Sequence, residues 1–408
     1  MMKSRYYTHT LANGLRLIHV PTTSRVAYCG LVVNAGSRDD LAGKTGLAHF
    51  VEHTIFKGTT HRRSWHILNR MERVGGELNA YTTKEGTAVY SIFPCEHFAR
   101  AIELISDLVA NSTFPESELE KEREVVMEEI DSYRDTPMEA AYDDFEDYLF
   151  AGSAMGHNIL GNEQDLRSIT SADCRYYLST QYVPENMVFF AMGNIDSAKL
   201  FRLDEKYFGQ LNHSLKRIER KVPVEVPVFH KSINIDSHQA HTIIGKQIFS
   251  MHDERRYAAF LLNNMIGGPG MNSLLNVAIR EKRGYAYTVE SSLSLLSDCG
   301  LFQIYFGSDE RHVAPAIRII KRIIEELAEK PLSEKALQAA KRQYLGQLVV
   351  SGENKEAVAL SLGKNYLYYN NVMTDGELAE HINALTAEQI MDCAVKLNPD
   401  TCSILTLK

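Results

Sequence analysis

The sequence lacks three features that would each place it in a special class of protein. Its six cysteines are scattered and form no Cys-x-x-Cys pair, which argues against a disulfide framework or a thiolate metal site. No apolar run approaches the roughly 18 residues of a membrane-spanning helix, and the first residues show no apolar core of a signal peptide. We therefore expect a protein with reduced thiols, without a membrane partner, in the cytoplasm.

An excess of positive charge is also absent. The chain has 44 Lys and Arg residues against 52 Asp and Glu residues, a net charge of −8, which argues against a nucleic-acid partner. Its 408 residues exceed one compact core and predict two domains of about 200 residues each. Residues 221–228, extended and with two prolines, are predicted to be the linker between domains 1–220 and 229–408.

The motif that the sequence does contain is His-x-x-Glu-His, formed by His49, Glu52 and His53. Residues four apart lie on the same face of a helix, so the pattern presents two imidazoles and a carboxylate together. Imidazoles are suitable ligands for Zn²⁺, and a neighbouring carboxylate can act as general base toward a water. This residue order is that of the inverzincin metalloproteases. Because so short a pattern also arises by chance, a third ligand is needed to favour a metal site.

A strongly acidic helix is predicted over residues 116–130. Glu122 and Glu129, seven residues apart, lie on a helical stripe that is otherwise apolar. One interpretation is that the helix is so acidic that glutamates fall on every face. The other is that one of the two carboxylates completes the metal site and the other supports it through hydrogen bonding.

The second half of the sequence weakly repeats the first, with a period of slightly more than 210 residues. Residues 259–266 correspond to residues 48–55, and residues 332–337 correspond to residues 114–119. In the second copy, the positions of His49, His53 and Glu129 are occupied by Phe260, Asn264 and Gln347. The repeat predicts an α+β fold of two similar domains, of which only the first binds metal, with one Zn²⁺ per chain.

These residues resemble the superfamily of pitrilysin, insulin-degrading enzyme and mitochondrial processing peptidase, in its short two-domain branch. The likeness covers essentially the whole chain, and its motifs lie in residues 36–38, 46–59, 78–80, 122–129, 184–193, 268–273 and 280–287. The resemblance implies two duplicated domains, each an antiparallel-rich sheet backed by helices, that together form half of a clamshell. It also implies that Glu129 is the third zinc ligand and that Glu122 supports the site.

The resemblance extends to residues that would bind substrate. Arg280 and Tyr287 match an Arg–Tyr pair that the family places in the domain facing the zinc. A guanidinium and a phenol can hold a substrate carbonyl and the developing oxyanion, although each residue alone is ordinary near a helix end or in a strand. Asn79 and Ala80 match the edge strand on which the family holds an extended peptide through main-chain hydrogen bonds.

We therefore expect a zinc metalloendopeptidase that hydrolyses unfolded peptides inside a closed chamber, with Glu52 as general base. In a chain of two domains, the resemblance implies that the domain facing the zinc belongs to a second subunit. This predicts a homodimer, or a heterodimer with an inactive homologue. Two alternatives are a presequence-processing peptidase and a non-catalytic structural homologue, and the complete His-Glu-His set disfavours the second.

Overall fold

The computed structural model describes residues 6–212 and 219–408, which divide into two compact units. Among the described residues, unit 1 runs to Ile130 and adds His157–Arg220 and Gly352–Thr374. Unit 2 consists of Asp131–Gly156, Lys221–Ser351 and Asp375–Lys408. The α+β prediction of two sheets backed by helices is confirmed. The units differ from the predicted domains 1–220 and 229–408 because each takes one segment from the other half of the chain.

The described residues contain eleven strands. They are β1 Tyr7–Thr10, β2 Arg16–Pro21, β3 Val26–Val33, β4 Glu77–Thr82, β5 Thr87–Pro94, β6 Met187–Gly193, β7 His230–Ile233, β8 Ala240–Ile248, β9 Ala286–Leu295, β10 Gly300–Ser308 and β11 Ser403–Leu407. The α-helices are α1 Leu47–Thr54, α2 Ser64–Glu72, α3 Phe98–Asn111, α4 Glu116–Arg134, α5 Pro137–Leu149, α6 Glu163–Ser168, α7 Ser171–Gln181, α8 Ser197–Phe208, α9 Arg256–Gly267, α10 Glu310–Glu329, α11 Glu334–Ser351, α12 Lys355–Tyr369, α13 Asp375–Ala384 and α14 Ala387–Lys396. No helix in this part of the chain is both long enough and apolar enough to span a membrane.

The sheet of unit 1 has the strand order β1-β2-β6-β3-β5-β4. β2 and β6 run parallel, and every other neighbouring pair is antiparallel. Successive side chains on a strand point to opposite faces, so Leu31 of β3 belongs to a core that contains residues of α1 and α3. Val32 points the other way, into a second core that contains residues of α12. The first of these cores positions α1 against the sheet.

Helix α12 comes from the second half of the chain and covers the sheet of unit 1. It packs on β3 and β6, with Leu362 and Tyr366 among the buried residues of that core. Gly363 allows close approach, because a Cβ there would lie 2.7 Å from the ring of Phe190 and 2.8 Å from Val32. The second face of this sheet is therefore closed by a segment that sequence order assigned to the other domain.

The sheet of unit 2 has the order β7-β11-β8-β10-β9, with β7 and β11 parallel and the other pairs antiparallel. Helix α5, which comes from the first half of the chain, packs on β8 and β11. Its Ala141 and Phe145 share a core with Ile243 and Leu405. Each sheet thus uses one helix from the half of the chain that does not supply its strands.

Candidate metal centre

Helix α1 carries the His-x-x-Glu-His motif, and its local sequence explains how the helix begins. Gly46 precedes the helix with φ of +88°, a left-handed conformation that glycine adopts without steric cost. A Cβ at this position would also lie 2.4 Å from the carbonyl oxygen of Leu160. Leu47, Phe50 and Val51 are fully buried, so an apolar face anchors α1 in the core of unit 1.

His49, His53 and Glu129 come together around one point. Each offers one ligand atom, and these atoms lie within 4.8 Å of one another. Oε2 of Glu129 lies 3.8 Å from Nε2 of His49 and 3.5 Å from Nε2 of His53. Ligands at ordinary zinc distances in a tetrahedron lie about 3.3 Å apart, so the three side chains could hold one small divalent cation after drawing closer together. Two imidazoles and a carboxylate are also a donor set typical of catalytic zinc.

Glu122 lies behind His53 rather than among the converging ligand atoms. Its Oε2 lies 3.3 Å from Nδ1 of His53, and its Oε1 lies 2.6 Å from Nζ of Lys57. A carboxylate accepts hydrogen bonds, so we assign the ring proton of His53 to Nδ1. This assignment leaves Nε2 of His53 free to act as a ligand. Lys57 was not identified from the sequence, and its position four residues after His53 is the only local signal for it.

Burial and mutual charge set the protonation of the three candidate ligands. Burial lowers the pKa of His49, the charge of His53 lowers it further, and the charge of Glu129 raises it in part, which leaves it at about 4. Burial also lowers the pKa of His53, but hydrogen bonding to Glu129 and the charges of Glu52 and Glu129 outweigh it, so the pKa is raised. Hydrogen bonding from His53 lowers the pKa of Glu129. A neutral His49 thus lies beside a His53–Glu129 pair that is linked by hydrogen bonding.

Glu52 is the carboxylate of the motif that does not join the ligand group. It lies on α1 immediately before His53, and the charges of His53 and Glu129 both act on it. Burial raises the pKa of Glu52, and the nearby Thr82 at the end of β4 opposes the increase. A partly buried carboxylate therefore lies next to the ligands, between α1 and the edge strand.

The predicted substrate-binding residues Asn79 and Ala80 lie on β4. They pair with Tyr90 and Val89 of β5, and both are partly buried. β4 is the outermost strand of its sheet, so one side of its main chain lies outside the hydrogen bonding of that sheet. The strand that carries these two residues ends at Thr82 and packs against α1, the helix that carries Glu52.

Arg280 and Tyr287 lie together in unit 2. Arg280 belongs to a π-helical turn over Asn276–Glu281, and its guanidinium carbon lies 5.2 Å from the ring centre of Tyr287. Tyr287 is 78% exposed on the edge strand β9. Both residues line a cavity of about 460 Å³, to which Phe260 and Asn264 also contribute. The residues that replace two of the candidate ligands in the second copy therefore lie beside the Arg–Tyr pair.

The chain is similar to known proteins over nearly all of its length. Residues 17–163 match the family model Insulinase (peptidase family M16), and residues 168–344 match the model peptidase M16 inactive domain. An uncharacterized zinc protease of Bacillus subtilis is 32% identical over 394 residues, covering 95% of each chain. An uncharacterized zinc protease of Streptomyces coelicolor is 31% identical, covering 93% of this chain and 84% of the relative.

Two solved structures share the fold. The crystal structure of a peptidase M16 inactive domain from Pseudomonas fluorescens has a TM-score of 0.91 at 20% identity, over 99% of this chain and 97% of that one. The crystal structure of a protease from Helicobacter pylori has a TM-score of 0.91 at 22% identity, over the whole of both chains. The predicted superfamily is confirmed, and this chain belongs to peptidase family M16.

Proposed function

We propose that this protein is a zinc-dependent endopeptidase that hydrolyses unfolded peptides. The observation that carries the proposal is the convergence of His49, His53 and Glu129 around one point, with Glu52 beside them on the same helix as the two histidines. The relatives named zinc proteases support the same chemistry, and the matched insulinase model covers all four residues.

The residues of the site have complementary roles in this proposal. His49, His53 and Glu129 would hold the zinc ion, which supplies Lewis acidity toward a water and a substrate carbonyl. Glu52 would accept the proton that the attacking water loses and return it to the leaving amine. Glu122 would hold His53 through Nδ1, so that Nε2 stays directed at the metal.

The substrate would bind as an extended strand along β4. The outward side of its main chain near Asn79 and Ala80 offers hydrogen bonds that depend little on the side chains of the peptide. Arg280 and Tyr287 would hold the scissile carbonyl, contributed by the second subunit of a homodimer. Recognition through the main chain favours a broad range of unfolded peptides over a single sequence.

Metal analysis combined with a peptide-cleavage assay tests this function. We expect one zinc per chain and cleavage of unstructured peptides. A chelator should abolish cleavage, and adding zinc back should restore it. His49→Gln should lose both zinc and cleavage. His61→Gln is a matched control, because His61 is an exposed histidine that pairs with Asp107, and it should retain both.

Three outcomes would contradict parts of the proposal. Cleavage that survives complete zinc removal would overturn the metal mechanism. Stoichiometric zinc without cleavage of any peptide would indicate a non-catalytic homologue. A strong preference for a basic amphipathic peptide over a neutral one would indicate a presequence-processing enzyme.

A further inference from the structure

The two imidazoles of the candidate metal centre are held in different ways. Nδ1 of His53 faces Glu122, so a hydrogen bond can fix the rotation of that ring. Nδ1 of His49 is buried and has no hydrogen-bond partner among the described residues. The side chain of His49 is therefore positioned by packing and by the backbone of α1, without a polar contact at the far side of its ring.

The backbone at that point is the first turn of α1, where helix N–H groups have no partner within the helix. Asp40 supplies the missing acceptors. Its Oδ2 accepts a hydrogen bond from the backbone N–H of Gly46 at 2.7 Å, and its Oδ1 accepts one from Ala48 at 2.7 Å. The side chain of Asp40 is 3% exposed. One buried carboxylate thus binds the chain both before α1 and at the residue next to His49.

Asp40 is itself held by a residue that is distant in sequence. Nε2 of His157 lies 3.3 Å from Oδ2 of Asp40 and 3.0 Å from the carbonyl oxygen of Ser37. Both of these atoms accept hydrogen bonds, so Nε2 of His157 carries the proton and donates it. His157 therefore links Asp40 to the loop that leads into α1.

A second contact holds the chain just before α1. Oδ2 of Asp165 accepts hydrogen bonds from the backbone N–H of Thr45 at 3.0 Å and from its hydroxyl at 2.7 Å. Gly161 lies so close that a Cβ there would be 2.1 Å from the carbonyl oxygen of Thr45. The segment that contains His157, Gly161 and Asp165 thus contacts the start of α1 and holds it in position.

We propose that Asp40 is a positioning residue for the zinc ligand His49 and that His157 holds Asp40 in place. The inference rests on the proposed function, because it assumes that His49 binds zinc. Small displacements of the first turn would move the ring of His49 directly, whereas His53 is one turn further along and is held separately by Glu122. Loss of the Asp40 contacts should therefore affect one ligand more than the other.

The test is the zinc dissociation constant of Asp40→Asn and His157→Gln, measured by competition with a chromogenic chelator. An Asn side chain has one acceptor oxygen where Asp40 uses two, so one backbone N–H loses its partner. We expect zinc binding to weaken about 10–100-fold in Asp40→Asn and by a smaller factor in His157→Gln. The visible spectrum of the Co²⁺-substituted protein should show a changed ligand set in Asp40→Asn.

Asp196→Asn is the matched control. Asp196 caps α8 by accepting a hydrogen bond from the backbone N–H of Lys199 at 2.9 Å. An Asn side chain keeps the one acceptor oxygen that this cap uses, so the variant makes the same chemical change at a helix start away from the metal centre. It should keep the wild-type zinc affinity and cobalt spectrum. If Asp40→Asn does not fold, His157→Gln alone decides the question.

Two results would overturn the inference. Asp40→Asn and His157→Gln proteins that bind zinc as tightly as the wild type, with an unchanged cobalt spectrum, would show that these two residues support only the fold. A wild-type protein that binds no zinc would remove the proposed function, and this inference with it.

Discussion

Nδ1 of His53 lies 3.3 Å from Oε2 of Glu122, whose Oε1 lies 2.6 Å from Nζ of Lys57. One oxygen of the Glu122 carboxylate therefore faces the candidate ligand His53, and the other pairs with the ammonium group of Lys57. All three side chains are less than one quarter exposed, so the geometry is shielded from bulk water. This arrangement orients His53 through a partner that does not itself join the metal ligands.

Replacing this carboxylate should weaken metal binding without abolishing it. Glu122→Gln keeps the size of the side chain but removes the charge that faces both His53 and Lys57. Loss of such a partner typically reduces metal affinity about 10–100-fold, and we expect the zinc dissociation constant to rise by that factor. Glu124→Gln, an exposed position on the same helix, is the control. A Glu122→Gln protein that binds zinc within twofold of the wild type would contradict the role.

Removing the proposed general base should separate metal binding from turnover. Glu52→Gln is expected to retain one zinc per chain, because Glu52 does not belong to the ligand group. Its peptide cleavage should fall by about 10²–10⁴-fold. Zinc analysis and initial rates measured on the same preparation test this expectation. Wild-type cleavage by the variant would exclude Glu52 from proton transfer.

Sharing of one active site between two subunits can be tested by complementation. A chain with Glu52→Gln retains Arg280 and Tyr287, whereas a chain with Arg280→Met and Tyr287→Phe retains the zinc residues. Each should be nearly inactive alone, and co-expression should restore roughly a quarter of wild-type activity through mixed dimers with one complete site.

Co-expression of Glu52→Gln with His49→Gln is the control for complementation, because both substitutions lie in the unit that we propose to bind zinc. No mixed dimer of these two chains contains a complete site, so activity should stay absent. Light scattering that shows an active monomer, or failure of the first pair to recover activity, would refute a shared site.

Asp204 should make stability depend on pH in a direction set by its burial. Both carboxylate oxygens are buried without a hydrogen-bond partner among the described residues, and burial raises the pKa of Asp204 well above its ordinary value. The folded state therefore binds this proton more tightly than the unfolded state does. The stability that this protonation contributes is fully present below the ordinary carboxyl pKa of about 4. It is lost as the pH rises toward the raised pKa of Asp204 in the folded state.

An Asp204→Asn variant lacks this titration. Its free energy of unfolding relative to the wild type should increase between pH 5 and pH 8, because only the wild type loses stability as Asp204 deprotonates. Urea unfolding at the two pH values measures the difference. Asp196→Asn, which changes a solvent-exposed carboxylate, should show no comparable trend. A constant difference between Asp204→Asn and the wild type would mean that Asp204 is not protonated in the fold.

The sequence predicts those residues of the candidate site that belong to a motif or recur at helical spacing. His49 and His53 share a helix face, so their spacing indicates that they meet. Glu129 required the family resemblance, because helical period alone did not distinguish it from Glu122. Asp40 carries no such signal, since an acidic residue six positions before Gly46 has many possible partners and only the fold selects one.

The limits of the domain prediction have a different physical cause. An amphipathic pattern shows that a helix has an apolar face, but it does not show which sheet covers that face. Helix α5 has such a pattern, whereas the apolar residues of α12 are distributed around the helix. Each of the two packs on the sheet whose strands come from the other half of the chain. Sequence order alone assigns both helices to the wrong unit.

The placement of α12 has a consequence for how the protein is made. Val188, Phe190 and Ile18 share the core that this helix covers, and residues up to Thr374 belong to the same unit. During synthesis, the sheet of unit 1 therefore lacks the helix that covers one of its apolar faces until most of the polypeptide has been made. The first half of the chain, which carries the two histidines, does not contain the helix that completes the packing of its own sheet.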